Sequence, residues 1–153
     1  MITTSKFKSV SLKAITVVLM LAVIIMCMTG CGYKSGDYKE TMYQMTSLQN
    51  SDADTGSQSE STYSISIDGS TITFNSGSTT IGSGTIKGDT ITWDEESYGY
   101  SNPYSNIMSG LLSVSVNETN ITKVKGSDDV MISFEWIAIG YGDWVTSYYF
   151  EKE

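Results

Sequence analysis

Apolar and polar residues alternate with a period of two along most of the chain beyond residue 62. Tyr63, Ile65 and Ile67 alternate with serines, and Ile72 and Phe74 alternate with threonines. Alternation of this kind is typical of a β-strand that buries one face. Three later segments repeat it: 112–116, 130–138 and 144–150. Because no helical periodicity follows residue 30, the pattern predicts an all-β fold.

The first tight hairpin is predicted at Asp68-Gly69, a dipeptide that favours two-residue loops. Centred there, the hairpin pairs Ile65 with Ile72 and Tyr63 with Phe74. All four apolar side chains then lie on one face of the sheet, so this register agrees with the alternation.

A second hairpin is predicted at Gly88-Asp89. It pairs Ile86 with Ile91 and Gly84 with Trp93. An indole over a strand glycine covers the backbone that the glycine leaves bare. The two hairpins follow one another along the chain and indicate a meander.

The second half of the chain is divided by one long loop and two shorter connections. Residues 94–106 are predicted to be the loop, and residues 117–120 a turn between strands 112–116 and 121–125. A five-residue loop at 139–143 then joins the last two strands.

The last two strands are predicted to pair Phe134 with Tyr148 and Ile132 with Phe150. In total the segments give an antiparallel meander of seven to eight strands, which forms a closed or half-open barrel. Closure is favoured because it leaves no edge strand open to aggregation.

Bulky side chains dominate the face that is predicted to line the barrel: Tyr63, Ile65, Ile72, Phe74, Ile86, Ile91, Trp93, Phe134, Trp136, Tyr148 and Phe150. A barrel of about eight strands is either filled by its own side chains or holds one small ligand. The number of large residues favours a filled interior, with a lipocalin-type pocket as the alternative.

Ahead of this β-barrel-like domain, residues 63–153, the composition changes. Residues 46–62 are rich in Ser, Thr, Asp and Gly, which indicates a linker. Residues 36–45 carry enough aromatic and apolar side chains to form a first strand. The alternative is that they belong to a tether over residues 31–62.

The first 31 residues follow the order of a secretory signal peptide. Three lysines form a basic head, an apolar run covers residues 14–28, and Met28-Thr29-Gly30 precedes Cys31. The run is about 15 residues long, shorter than the ~20 that a membrane-spanning helix needs. A cleaved helical signal peptide over residues 1–30 is therefore predicted, with an uncleaved anchor as the alternative.

With a cysteine at the cleavage point, this segment resembles the lipobox leader of bacterial lipoproteins. The resemblance implies cleavage between Gly30 and Cys31 and a diacylglycerol on the Cys31 sulfur. Two acyl chains make anchoring stable, so the mature chain is expected on the outer face of the cytoplasmic membrane. Lysine without arginine suggests an AT-rich genome and favours a Gram-positive source.

Four segments carry strand-and-turn signatures: Gly-Asp-Tyr-Lys at 36–39, Tyr-Ser-Ile-Ser-Ile-Asp-Gly at 63–69, Gly-Thr-Ile-Lys-Gly-Asp-Thr-Ile-Thr-Trp at 84–93 and Tyr-Tyr-Phe-Glu-Lys-Glu at 148–153. They are similar to the small lipocalin-like, meander-barrel domains of bacterial lipoproteins. The resemblance covers residues 36–153. It implies a fold and carries no catalytic residue.

Charge limits the partners of the mature chain. Removal of residues 1–30 takes away three lysines and no acid, which leaves 6 lysines against 17 acidic residues, a net charge of −11. An acidic surface without arginine excludes nucleic-acid binding. Such a surface is also repelled by anionic lipid, so contact with the bilayer is expected through the lipidated Cys31 alone.

The residue types present also limit the chemistry. The chain has no histidine, which excludes His-based triads and His zinc sites. Cys27 leaves with the leader and Cys31 carries lipid, so no disulfide is expected. The Asp52-Ala53-Asp54 segment lacks the Gly and Glu of a calcium loop. No catalytic, cofactor-binding or metal-binding residue is predicted.

A cluster of aromatic residues in and beside the long loop is the candidate binding surface: Trp93, Tyr98, Tyr100 and Tyr104. Tyrosines among Ser, Gly and Asn are typical of binding loops, although these tyrosines could instead fold back onto the barrel rim. The sequence thus favours a non-catalytic binding or interaction module for an envelope protein or a small apolar or carbohydrate ligand. The alternatives are a carrier of an apolar ligand, an inhibitor of a cationic envelope hydrolase, and an enzyme acting on envelope polysaccharide.

Overall fold

The computed structural model describes residues 32–49, 53–56, 63–94, 102–108, 114–138, 140 and 142–153, with the backbone alone for 53–56. These residues belong to the compact unit formed by residues 31–153. The elements in chain order are β1 Gly36–Ser47, β2 Ala53–Gly56, β3 Tyr63–Asp68, β4 Thr71–Ser76, β5 Thr79–Lys87, β6 Thr90–Trp93, α1 Pro103–Met108, β7 Val114–Lys123, β8 Val130–Ala138 and β9 Gly142–Lys152.

Eight of these strands close into an antiparallel β-barrel. The order around the barrel is β1-β3-β4-β5-β6-β7-β8-β9, and β9 returns to pair with β1. The short strand β2 adds to the outer half of β1, from Tyr43 to Thr46. The all-β class, the antiparallel meander and barrel closure are therefore confirmed for the part of the chain that the structure describes.

The first strand is part of the barrel. Residues 36–45 lie within β1, which pairs with β3 through residues 36–39 and with β9 from Tyr38 to Ser47. The barrel therefore begins at Gly36 and not at residue 63. Residues 53–56, which were expected to be linker, form β2.

The hairpin at Gly88-Asp89 has the predicted register. Gly84 pairs with Trp93 and Ile86 with Ile91. A Cβ on Gly84 would lie 3.1 Å from Cε3 of Trp93 and 2.5 Å from the Thr92 carbonyl oxygen, so the indole covers bare backbone as expected.

The predicted registers of two other hairpins are wrong by two residues. Ile65 pairs with Phe74, because Gly69-Ser70 forms the loop in place of Asp68-Gly69. Gly69, with φ of 60°, then takes the first loop position, where both primed turn types need a positive φ. Phe134 pairs with Thr146, because the ladder continues to Ala138 and Gly142 and leaves three connecting residues.

Two further predictions are wrong. Residues 117–120 do not form a turn, because β7 is continuous from Val114 to Lys123 with a register shift between Val116 and Glu118. No helix was predicted after residue 30, but α1 covers Pro103–Met108. This helix begins within the predicted loop at 94–106 and ends two residues after it.

The barrel interior is the hydrophobic core. The predicted interior residues are buried, except for the partly buried Tyr63, and Tyr38, Ile67, Ile81, Tyr104, Met108, Ile121, Val130, Ile132 and Ala138 join them. Phe74 lies at the centre and makes edge-on ring contacts with Trp93, Phe134, Tyr148 and Phe150. These rings pack against one another in the described interior.

Candidate functional site

The structure describes two of the four aromatic residues that were predicted to bind a partner. Trp93 ends β6, and Tyr104 lies in α1. Tyr98 and Tyr100 lie outside the described residues, as does Cys31. Their predicted roles stay predictions.

Helix α1 is built by a cap that the sequence analysis missed. Asn102 precedes the helix and its Oδ1 accepts a hydrogen bond from the Ser105 backbone N–H at 2.8 Å. This is the N-cap position, and Pro103 takes the first helical position, where proline is favoured. Pro103 packs on Gly82 of β5 so closely that a Cβ on Gly82 would collide with the ring. The Asn-Pro dipeptide was the available signal.

Tyr104 points from this helix into the barrel and is 1% exposed. Its ring stacks on Phe134 at 5.3 Å between centroids, and its hydroxyl lies 2.9 Å from Oγ1 of Thr146. Trp136 Nε1 donates to the same Thr146 oxygen at 3.0 Å. Burial raises the pKa of Tyr104 to about 12, and the hydrogen bond with Thr146 opposes this rise. The Tyr104 ring therefore fills space inside the barrel, and its hydroxyl stays protonated at neutral pH.

Trp93 joins β6 to β7 through its side chain. Its indole N–H donates to Oγ1 of Thr119 at 3.0 Å, and its ring stacks on Phe134 at 6.2 Å. Thr119 is 3% exposed, so the hydrogen bond is buried. Trp93 itself is 9% exposed and reaches the surface at one edge.

A cleft of about 420 Å³ opens at the β6–β7 seam, beside Trp93. Among the described residues, Thr90 and Asn120 are the single backbone pair between these strands, and no backbone pairing continues from it toward Trp93. Both strands line the cleft, as does Asn102. The exposed carboxylate of Glu118 gives it an acidic rim.

Glu40 is a buried acid that the sequence analysis did not single out. It is 2% exposed, and neither carboxylate oxygen has a hydrogen-bond partner at bonding geometry. Burial raises the pKa of Glu40, and the backbone N–H of Tyr63 offsets this rise in part. Burial raises the pKa of Tyr63, and the Glu40 charge adds to that rise. Burial also raises the pKa of Tyr148, followed by the effects of Tyr104 and Tyr63 and then of the Glu40 charge.

Glu40 faces inward because of an irregularity in β1. Tyr38 and Glu40 share the inner face, and a register shift between Glu40 and Met42 then moves Tyr43 and Met45 to that face. With regular alternation, an inward Tyr43 would place Thr41 and Lys39 on the inner face and Glu40 on the outer face of the barrel. The burial of Glu40 was therefore not evident from the sequence.

No group of three or more metal-binding side chains occurs among the described residues. In the same residues no helix is long and apolar enough to cross a bilayer. A scan against protein-family models, a search of curated proteins and a search of solved structures each return no match to this chain.

Proposed function

We propose that this chain is a lipid-anchored bacterial protein on the outer face of the cytoplasmic membrane, where its barrel serves as a non-catalytic binding module. The observation that carries the anchoring is the order of residues 1–31: a basic head, a short apolar run, two small residues and Cys31. That order specifies export and a thiol at the processing point.

Metabolic labelling with palmitate tests the anchor. The Cys31→Ser variant should lose the label and the accompanying mass shift, because the thioether cannot form. The matched control is Cys27→Ser, which removes the other cysteine of the chain and should stay labelled. Label that persists in Cys31→Ser, or that is absent from the native chain, would contradict the proposal.

The binding role is supported by the way in which the barrel is filled. Tyr104, Phe134 and Phe74 pack together in the interior, which favours binding at the surface over carriage of a ligand inside. The cleft at the β6–β7 seam surrounds the edge of Trp93 with polar side chains from both strands, so it offers hydrogen-bonding groups next to an aromatic surface. We therefore place the binding surface of the module at this cleft.

Amide chemical shifts of residues 32–153 test the binding surface. The probes are a saturated fatty acid, a soluble peptidoglycan fragment and a cationic muramidase. We expect the fragment or the muramidase to move the signals of Thr90, Asn117 and Glu118, because these residues line the cleft. Shifts confined to Phe74 and Phe134 with the fatty acid would favour a carrier instead, and no response to any probe would remove the cleft as a site for these three classes.

A further inference from the structure

One end of the barrel, which we call the cap end, is closed by the chain segment that follows Cys31. The cap end carries the β3–β4, β5–β6 and β7–β8 turns, and residues 32–35 cross it. Tyr33 donates its hydroxyl proton to the Ile121 carbonyl on β7 at 2.7 Å. Because β7 lies well around the barrel from β1, the segment spans the opening.

The same segment is also held on the side of β1. Lys152 Nζ donates to the Ser35 carbonyl at 3.1 Å, and the Gly69 N–H donates to Ser35 Oγ at 3.1 Å. The Tyr38 hydroxyl donates to the Lys34 carbonyl at 2.5 Å. No free linker therefore separates Gly32 from the barrel. Consecutive Cα atoms are only 3.8 Å apart, so a lipid on Cys31 would begin at the cap end.

The lysines of the barrel domain are concentrated at this end. Five of the six lysines after residue 30 lie in the segment, in a cap-end turn or at a strand end there: Lys34, Lys87, Lys123, Lys125 and Lys152. The sixth, Lys39, lies in β1 opposite Glu151. The other end, which we call the distal end, carries the β4–β5 and β8–β9 turns and has no lysine.

Three of these lysines act on one acidic side chain. Lys34 Nζ contacts Oδ2 of Asp128 at 2.6 Å. The pKa of Asp128 is lowered first by this hydrogen bond, and also by the charges of Lys34, Lys123 and Lys152. Gly32 lies beside them, since a Cβ built on it would be 3.9 Å from Lys123 Nζ. The chain thus leaves the barrel beside ammonium groups that are interspersed with carboxylates, since Asp68, Asp89 and Asp129 lie in or next to the turns of the same end.

We propose that the cap end rests directly on the headgroups of an anionic bilayer, with Lys123 and Lys125 against lipid phosphates and the distal end turned away. This orientation rests on the proposed anchoring at Cys31. It also revises the expectation that the acidic chain touches the membrane through its lipid alone. The net charge of −11 is repelled by such a surface. At the cap end the lysines offset carboxylates, whereas no lysine offsets Asp94 and Asp143 at the distal end, so turning the distal end outward reduces that repulsion.

Two matched label positions test the orientation. Asp89 and Ser78 are exposed, each is the second residue of a Gly-X hairpin loop, and they flank opposite ends of β5. They are about 30 Å apart along a strand of this length. Asp89→Cys and Ser78→Cys are labelled with a fluorophore in the lipidated full chain, which is inserted into phosphatidylcholine vesicles with added phosphatidylglycerol and headgroup-quenching lipid. We expect several-fold stronger quenching at position 89.

Flotation of the same samples separates the two proposals. A chain that does not float with the vesicles contradicts the anchor and the orientation together. A chain that floats but is quenched equally at both positions, or more at 78, overturns the orientation and leaves the anchor in place. The full chain is used throughout, so the segment at residues 32–35 is present.

The lysine contact has its own control. Lys125→Gln and Lys39→Gln each remove one exposed ammonium group, one at the cap end and one in the wall of β1. With phosphatidylglycerol present, Lys125→Gln and added salt should each weaken quenching at position 89, whereas Lys39→Gln should not. Equal effects of the two variants, or none from either, would overturn the contact with lipid phosphates.

Discussion

The barrel is held closed in two different ways at two of its seams. At the β1–β9 seam, backbone pairing runs from Tyr38–Lys152 to Ser47–Trp144. At the β6–β7 seam, pairing among the described residues is limited to Thr90–Asn120, and the Asp89 carbonyl accepts the Ile121 N–H at 2.7 Å. Main-chain hydrogen bonds close the β1–β9 seam, whereas closure of the β6–β7 seam depends mainly on side-chain contacts.

Those side chains come from both sides of the open seam and from the helix between the strands. Trp93 bonds Thr119 across the gap, and Tyr104 fills the interior behind it. A seam closed by side chains can admit a cleft, and the cleft is found there. The difference indicates that the stability of this barrel is most sensitive to single substitutions at the β6–β7 seam.

The largest effect is expected from Tyr104→Ala. Removal of this ring leaves a cavity against Phe134 and costs about 3–5 kcal/mol of unfolding free energy, the range for a buried aromatic. The matched variant at the other seam is Tyr43→Ala, whose partly buried ring contacts Tyr148 at 6.2 Å. Urea unfolding of both variants measures the difference. A loss at Tyr43 as large as the loss at Tyr104 would contradict the comparison of the seams.

The Tyr104 hydroxyl has a smaller role than the ring. Tyr104→Phe keeps the stacking on Phe134 and removes only the contact with Thr146. The variant should therefore lower the free energy of unfolding by about 1 kcal/mol. A loss this small would identify packing of the ring as the main contribution of Tyr104.

The β1–β9 seam contains the buried acid Glu40, and replacing this residue should stabilise the protein. Glu40→Met replaces a buried carboxyl group, whose oxygens lack a hydrogen-bond partner at bonding geometry, by an apolar side chain of similar length. The free energy of unfolding at pH 7 should rise by about 1–3 kcal/mol, the usual cost of an unsatisfied buried polar group. A loss of stability in this variant would show that the interaction of Glu40 with the Tyr63 N–H outweighs the cost of its burial.

The pH dependence of stability gives a second test of Glu40. Burial raises the folded-state pKa above the ordinary value of 4.5, so the folded chain binds this proton more tightly than the unfolded chain does. The free energy of unfolding should therefore fall as pH rises from 4.5 through the raised pKa. Glu40→Gln should abolish that fall, while the exposed Glu118→Gln should keep it. Equal pH profiles in the two variants would contradict the assignment.

Alternation in the sequence predicts which face of a strand is buried, and it does so well for β8. Val130, Ile132, Phe134, Trp136 and Ala138 are all buried, as the pattern indicated. It does not fix the pairing, because a shift of two residues keeps every side chain on its face. Both wrong registers, at β3–β4 and β8–β9, are shifts of this size.

Irregularities account for most of the remaining differences. Each of two register shifts changes which residues face inward by one position. The shift after Glu40 hid the burial of Glu40 from the alternation pattern. The shift after Val116 interrupts the alternation within β7, where the sequence indicated a turn. Helix α1 is only six residues long, too short to show helical periodicity. Its single local signal was the cap at Asn102, so the burial of Tyr104 was not evident from the pattern.

An effect as small as that of Tyr104→Phe is expected from Asn102→Ala, which removes that cap. The Ser105 N–H loses its acceptor at 2.8 Å, and the free energy of unfolding should fall by about 1 kcal/mol. Amide hydrogen exchange locates the loss: Ser105 should exchange faster, while Ile121, bonded at the paired part of the seam, should keep its protection. Asn102→Ser retains a side-chain acceptor and should restore most of the protection of Ser105. If Ile121 loosened together with Ser105, the helix and the backbone pairing would form one cooperative unit, and closure of this seam would not depend on side chains separately.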